Sequence, residues 1–164
     1  MMPARSDGVA APSIDIQVQS PLWSVQPGTE QTVRDAVAAA TAMLAAADGE
    51  VSIVLTDDSA MRTLNRTWRG IDKPTNVLSF PAKASGGEKM LGDIVVAFET
   101  LQRECGEDGK EFLHHLAHLT VHGFLHLHGY DHQTDAEADD MERLESKIMA
   151  RMNVPDPYLA RDPG

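Results

Sequence analysis

Runs of apolar residues with two different patterns predict four strands. Residues 14–19 (IDIQVQ) alternate apolar and polar side chains, which is typical of a half-exposed strand. Residues 50–56 (EVSIVLT) are almost continuously apolar and β-branched, which indicates a buried strand. Residues 75–80 and 92–98 predict two further strands, joined by a flexible loop that contains residues 84–89 (ASGGEK).

Helical spacing of apolar residues predicts a helix after each of the first two strands. Thr29 can cap the first of these helices, which should stop at Gly49. Asp57 can cap the second, which should end at Gly70. We expect one face of this second helix to pack inward, through Met61, Leu64 and Trp68.

Two more helices are predicted in the last third of the chain, the first from about residue 110 to residue 127. Thr134 and Glu137 form a capping box that starts the second, whose inward stripe would be Ala138, Met141, Leu144, Ile148 and Met152. The order β-α-β-α-β-β-α-α predicts an α+β fold, a single compact domain with an about four-stranded mixed sheet packed with about five helices. We expect this domain to span residues 13–155, between flexible tails at 1–12 and 156–164.

Length and composition fit a folded protein that stays inside the cell. A chain of 164 residues with 42% hydrophobic residues can bury a sizeable core. Its apolar runs are far shorter than the ~18 residues that a membrane span needs, and its N-terminal residues lack the apolar core of a signal peptide. The single cysteine, Cys105, cannot form an internal disulfide and is interpreted as structural or incidental. These features predict a cytoplasmic protein with no membrane contact.

Charge is distributed unevenly along the chain. The net charge of −11 argues against broad, non-specific binding of nucleic acids. Acidic residues are concentrated between residues 131 and 145, whereas residues 62–73 carry Arg62, Arg66, Arg69 and Lys73 against a single acid, Asp72. Any contact with an anionic ligand is therefore expected at this local basic stretch.

The segment HGFLHLHGYDH (residues 122–132) predicts a metal site. His122 and His126 are four residues apart, so a helix places them on one side, about 6 Å apart. Gly129 can end that helix and turn the chain, which brings His132 back over the same face. Three imidazoles and one open position are typical of a catalytic zinc site, because structural zinc usually has four protein ligands.

The other histidines receive weaker assignments. His118 shares the stripe of His122 and could support the site or serve as an accessory ligand, although a packing role is the simpler interpretation. We interpret His114, His115 and His128 as non-functional.

The residue after the first histidine argues against a peptidase. The spacing H-x3-H-x2-G-x2-H is that of the metzincin metalloproteases, whose first histidine is followed by a glutamate that acts as general base. This chain has Gly123 at that position, and glycine cannot accept a proton.

Cleavage of a phosphodiester bond favours a cationic side chain beside the metal instead of a carboxylate, because negative charge develops on the phosphate. Arg69, at the end of a predicted helix, can direct its guanidinium at phosphate oxygens. Arg62 and Arg66 fit a solvated helix face equally well. Spacing alone does not show whether Arg69 faces the histidines.

Three motifs together resemble the YbeY family of bacterial endoribonucleases. They are residues 122–132, residues 64–81 (LNRTWRGIDKPTNVLSFP) and residues 91–96 (LGDIVV). The family pattern H-G-x-L-H-L-x-G-Y-D-H is matched at every fixed position, and the resemblance covers about residues 14–153.

The resemblance implies a zinc-dependent, single-strand-specific endoribonuclease that acts in maturation of the 3′ end of small-subunit rRNA and in ribosome quality control. It implies one Zn²⁺ per chain on His122, His126 and His132, with Arg69 binding or stabilising phosphate as the fourth catalytic residue. Its implied partners are single-stranded RNA, rRNA and the small ribosomal subunit. Asp131 could orient a histidine ring or act as an ordinary turn residue.

Two other functions stay open beside this one. The first is a zinc hydrolase of another substrate, peptides included, and the second is a ribosome-associated factor whose zinc mainly stabilises the fold. The sequence leaves open the oligomeric state, the cleavage site, the metal loaded in the cell, and whether water or a 2′-hydroxyl attacks.

Overall fold

A computed structural model describes residues 13–44, 49–82 and 90–158, and these ranges form an α+β fold. Four strands make one sheet: β1 (Ser13–Val18), β2 (Glu50–Thr56), β3 (Val77–Pro81) and β4 (Met90–Ala97). Their order in the sheet is β1-β2-β4-β3, where β1, β2 and β4 run parallel and β3 runs antiparallel to β4. The predicted four-stranded mixed sheet is therefore confirmed. The predicted N-terminal tail and the loop at 84–89 lie outside the described residues.

Five α-helices accompany the sheet in the described part of the chain: α1 (Thr29–Leu44), α2 (Asp58–Arg69), α3 (Phe98–Asp108), α4 (Phe112–Leu127) and α5 (Asp135–Arg151). A short 3-10 helix, Pro21–Val25, precedes α1. None of the described helices is long and apolar enough to cross a membrane.

Three of the predicted helix ends are confirmed, whereas the prediction that Thr29 caps α1 was wrong, because Thr29 is the first helical residue and the Gly28 carbonyl accepts the Thr32 amide. The Asp57 side chain accepts a hydrogen bond from the Ala60 amide, and Gly70 adopts the left-handed conformation that ends α2. The Thr134 side chain caps α5 through the Glu137 amide. The described part of the first helix extends to Leu44, and residues 45–48 before the predicted stop lie outside the described range.

One helix was not located from the sequence. Helix α3 begins at Phe98, which the strand prediction had included in β4, and it follows that strand without an intervening loop. Its first residue is buried in the core, so apolar periodicity continues across the junction and conceals the change of structure.

The main core lies between the sheet and the helices α1, α4 and α5, and the large side chains that fill it include Ile53, Ile94, Leu116 and Phe124. A second, smaller cluster lies between α2 and the same sheet and contains Met61, Leu78, Val95 and Ala97. Alternate residues of β4 thus face two different cores, because the pleat of a strand directs successive side chains to opposite faces. Helices α4 and α2 therefore lie on opposite faces of the sheet.

The prediction that Trp68 packs inward was wrong. Met61 is fully buried, but Trp68 at the end of α2 keeps 66% of its surface exposed. The indole contacts Phe80 of β3, with ring centroids 6.3 Å apart. Trp68 lies one residue before the end of α2, beside the edge strand β3, where nothing in the second core extends to cover it.

Helix α4 approaches the sheet closely at Gly123. A Cβ atom at this position would lie 2.8 Å from Ile94 Cγ2 and 3.0 Å from Ser79 Oγ. The Ser79 hydroxyl also donates to the Gly123 carbonyl over 3.2 Å. The glycine thus sets how near the end of α4 comes to β3 and β4.

We expect Gly123→Ala to destabilise the protein by about 1–3 kcal/mol, because the added methyl group must displace Ile94. Alanine would otherwise favour a helix by up to about 1 kcal/mol over glycine. Urea unfolding measures the change. Gly106→Ala in α3, where a Cβ would meet nothing within 4 Å, is the matched control and should be neutral or stabilising. Equal stability of Gly123→Ala and wild type would contradict the close packing.

Candidate metal centre

The end of α4 is shaped by a glycine turn. The Tyr130 amide donates to the Leu125 carbonyl and the Gly129 amide donates to the His126 carbonyl, both over about 3 Å. With Gly129 at φ 94°, this pair of hydrogen bonds is a Schellman motif. The turn reverses the chain directly after the helix and returns His132 toward His122 and His126.

The three predicted histidines come together. One ring nitrogen of each lies within 4.8 Å of the other two, and the group could hold a metal ion. The ring centroids of His122 and His126 are 4.6 Å apart, and those of His126 and His132 are 5.2 Å apart. All three line one open cavity of about 520 Å³, which we call the histidine cavity.

The two histidines on α4 place their nitrogens at a spacing that suits a small tetrahedral ion. The Nε2 atoms of His122 and His126 are 3.1 Å apart. Two nitrogens bound to zinc at about 2.0–2.1 Å in tetrahedral geometry lie roughly 3.3 Å apart. This pair of donors therefore has a spacing close to that of a tetrahedral site, and the third nitrogen lies within 4.8 Å of both.

A buried carboxylate sets the orientation of His122. Glu145 of α5 has no exposed surface, and its Oε2 accepts a hydrogen bond from His122 Nδ1 over 2.6 Å. An ionised carboxylate can only accept, so the hydrogen of the neutral His122 ring resides on Nδ1. Nε2 then presents its lone pair to the histidine cavity, as a metal ligand must.

Two further donors satisfy the other oxygen of this carboxylate. His118 Nε2 lies 2.7 Å from Glu145 Oε1, and the Tyr158 hydroxyl donates to the same oxygen. Burial acts to raise the pKa of Glu145, but the hydrogen bonds from His118 and His122 outweigh burial and lower the pKa to about 2. Burial and the neighbouring carboxylate raise the pKa of Tyr158 above its usual value, so its hydroxyl stays protonated and donates. Glu145 is thus a stable anion behind the histidines.

The residues after α5 complete this network. Asp156 accepts hydrogen bonds from Ser146 of α5 and from the Tyr158 amide, both over 2.9 Å. These contacts hold Asp156–Tyr158, the first residues of the predicted C-terminal tail, against the domain. Residues 159–164 lie outside the described range, and the boundary at 155 stays a prediction.

His126 is suited to bind a cation as a neutral ring. Burial lowers its pKa, and the nearby rings of His122 and His132 lower it further. A depressed pKa means that protons compete less with a metal ion for the ring nitrogen near neutral pH.

Arg69 lines the same histidine cavity. Its Nη2 donates to the Ser79 carbonyl over 3.0 Å, and its guanidinium carbon lies 5.6 Å from the centre of the Phe80 ring. Arg69 ends α2, on the opposite face of the sheet from α4, and lines the histidine cavity beside the edge strand β3. Arg69 and the three histidines therefore share one cavity, which the spacing along the chain did not show. Arg62 and Arg66 instead pair with Asp72 on the exposed side of α2.

The remaining candidates have structural contacts. Asp131 accepts the His132 amide over 2.8 Å, which is a turn contact. His115 is buried against Glu104 at 2.8 Å, and His128 Nδ1 contacts the Phe124 carbonyl. Cys105 is half-buried, and burial raises the pKa of its thiol, which disfavours a nucleophilic role.

Glu145 was missed in the sequence, where it was counted among the acidic residues of 131–145. The position of Glu145 on α5 nevertheless indicates burial. Glu145 lies four residues after Met141 and three before Ile148, so it occupies the apolar stripe of α5. A charged residue on a buried helix face requires a partner, and His118 and His122 provide it.

Comparisons with known proteins agree with these motifs. The family model described as endoribonuclease YbeY matches residues 16–153. A curated endoribonuclease YbeY of Bradyrhizobium sp. (strain BTAi1) is 51% identical over 92% of this chain and 95% of the relative. Its counterpart in Nitrobacter hamburgensis is 51% identical over 93% of this chain and 85% of its own length.

A protein from Thermotoga maritima with a structure determined in solution has a similar fold. Its TM-score is 0.53 at 22% identity, over 92% of this chain and 98% of that protein. This likeness concerns the fold alone.

We expect Glu145→Gln to weaken Zn²⁺ binding by about 10- to 100-fold, because the His122 ring loses the charged acceptor that fixes its tautomer. Competition with a chromophoric chelator measures the affinity. Glu142→Gln, an exposed neighbour on α5, is the control and should bind as wild type does. Unchanged affinity in Glu145→Gln would show that the carboxylate does not support the site.

Proposed function

The chain belongs to the endoribonuclease YbeY family, and we propose that it is a zinc-dependent endoribonuclease that hydrolyses phosphodiester bonds of single-stranded RNA. The observation that carries the proposal is one shared cavity. The three histidines and Arg69 come from elements on opposite faces of the sheet and line the same space.

His122, His126 and His132 would hold one zinc ion per chain. Three imidazoles leave a coordination position open, as catalytic zinc sites do. Bound there, zinc supplies a Lewis acid for phosphoryl oxygens and lowers the pKa of water to about 7. The chain's contribution is to bring three ring nitrogens together, with His122 oriented by Glu145 and His132 returned to the site by the Gly129 turn.

Arg69 would bind the phosphate. Its contact with Ser79 uses one hydrogen of Nη2, whereas a guanidinium carries five. The Ser79 carbonyl and the Phe80 ring hold the group in place, so little order has to be gained when a phosphate binds. A cation fixed at the phosphate stabilises the charge that develops as the bond breaks.

Peptide hydrolysis is the weaker alternative. The position of the metzincin base is Gly123, where a side chain would collide with Ile94 and Ser79 of the sheet. A glutamate could be accommodated at that position only if these side chains or the helix moved. Casein digestion by the zinc-loaded protein would discriminate between the two activities.

A ribosome-associated factor with structural zinc is the other alternative. A metal that mainly stabilises the fold should shift Tm strongly when a chelator removes it. The exposed cavity and the open coordination position favour catalysis over this role.

The wider role that we propose follows from the family. It comprises maturation of the small-subunit rRNA 3′ end and ribosome quality control, in the cytoplasm, with rRNA and the small ribosomal subunit as partners.

We expect His126→Ala to lose both zinc and cleavage of a labelled single-stranded RNA, because two histidines bind zinc far more weakly than three. Elemental analysis and gel-based cleavage of the same preparations measure the two losses. His128→Ala, two residues along at the helix end and outside the histidine cavity, should keep one zinc per chain and wild-type cleavage. Cleavage at the wild-type rate by His126→Ala would rule out metal catalysis at this site.

We expect Arg69→Glu to retain zinc but to cleave at least about 100-fold more slowly, because a charge-stabilising donor at the phosphate is lost. Arg66→Glu makes the same charge change one turn earlier on α2 and serves as the control for net charge. Full activity of Arg69→Glu would remove Arg69 from the mechanism, and an equal loss in both variants would reduce its role to general electrostatics.

A further inference from the structure

A groove on the other side of Arg69 has no role in the chemistry described so far. It has a volume of about 710 Å³ and runs across the sheet face beside α2, where its lining includes Gln17, Gln19, Leu64, Trp68 and Phe80. Arg69, Ser79 and Pro81 line both this groove and the histidine cavity. We call it the Trp68 groove.

The exposure of Trp68 is the unusual feature of this groove. The side chain keeps 66% of its surface in solvent, although tryptophan has a large apolar surface to bury. It is not loosely placed, because its ring packs edge-on with Phe80, whose ring also carries the Arg69 guanidinium over it. A supported aromatic ring with an open face beside an arginine is the arrangement that single-stranded nucleic acids use for base stacking.

We propose that the Trp68 groove binds a nucleobase of the RNA substrate, stacked on the Trp68 indole, next to the phosphate at Arg69. This inference rests on the proposed function, because it takes RNA as the ligand. The two cavities meet at Arg69, so a phosphate in one and a base in the other can belong to the same RNA strand. The amide side chains of Gln17 and Gln19, which line the groove, can hydrogen-bond to the polar edge of a base.

A stacking subsite would explain both how an acidic chain binds RNA and why it prefers single strands. A chain of net charge −11 gains little from general attraction to phosphate, whereas stacking contributes affinity that depends little on charge. A base in a duplex has both faces covered by its neighbours, so a stacking subsite accepts only unpaired bases. Preference for single strands then has a physical cause in this groove.

The two tryptophans make the test direct. Trp23 is 2% exposed and donates its indole N–H to the Thr56 carbonyl, so it reports little of the surface. A change of fluorescence on binding can therefore be assigned to Trp68, and we expect quenching when a base stacks on its indole. We would titrate zinc-loaded wild-type protein with 2′-O-methyl hexauridylate and with an abasic oligomer of the same length and phosphate number.

We expect hexauridylate to quench the fluorescence and the abasic oligomer to bind at least about fivefold more weakly. Trp68→Ala lacks the reporting indole, so the affinity of each variant is measured by the fluorescence anisotropy of a dye-labelled hexauridylate, and Trp68→Ala should bind about 5- to 100-fold more weakly than wild type. Trp68→Phe should recover most of the affinity, because the ring is retained. Val25→Ala, which shortens a side chain that is 69% exposed and lies outside the groove, should bind as wild type does.

Equal affinity of Trp68→Ala and wild type, or equal binding of the abasic oligomer and hexauridylate, would overturn the proposal. Unchanged RNA binding in every variant is also the result expected if the groove contacts a protein instead. Cleavage assays on the same samples separate the two claims. Trp68-dependent binding without cleavage by wild type would leave the subsite intact and contradict the nuclease, whereas cleavage without Trp68-dependent binding would contradict the subsite alone.

Discussion

The site depends on one buried negative charge, the Glu145 carboxylate between α4 and α5. An isolated carboxylate in a protein interior is costly, and it persists only when donors replace the lost water. His118, His122 and Tyr158 are those donors. The same contacts join α4 to α5 and to the chain after α5, and they fix the His122 tautomer, so packing and chemistry share one group.

The second constraint is the close approach of α4 to the sheet at Gly123. This contact holds the end of α4 against β3, the edge strand that separates it from α2. Arg69 extends around that edge and is held by the Ser79 carbonyl, while the Ser79 hydroxyl contacts Gly123. Ser79 thus links Arg69 to the helix that carries His122 and His126. Gly123, which stands where a peptidase would have its base, allows the close approach of that helix to β3.

Local signals in the sequence predicted local features well. Strand alternation, the Asp57 and Thr134 caps and the histidine spacing each depend on neighbours in the chain, and the structure contains all of them. Features that depend on tertiary contacts were harder to predict. Trp68 has the spacing of a buried residue but lies beyond the second core, Glu145 looked like one acid among many, and α3 begins inside an apolar run. Whether Arg69 faces the histidines depends on the path of β3, which spacing along the chain does not contain.

An open metal centre on three histidines has a coordination shell that can be measured. X-ray absorption at the zinc edge of the zinc-loaded protein measures it, because the scattering counts the ligands and identifies their atoms. We expect three imidazole nitrogens at about 2.0–2.1 Å and one further light-atom ligand that is not histidine. A sulfur ligand, which only Cys105 or a methionine could provide, or a fourth imidazole would rule out the open three-histidine centre.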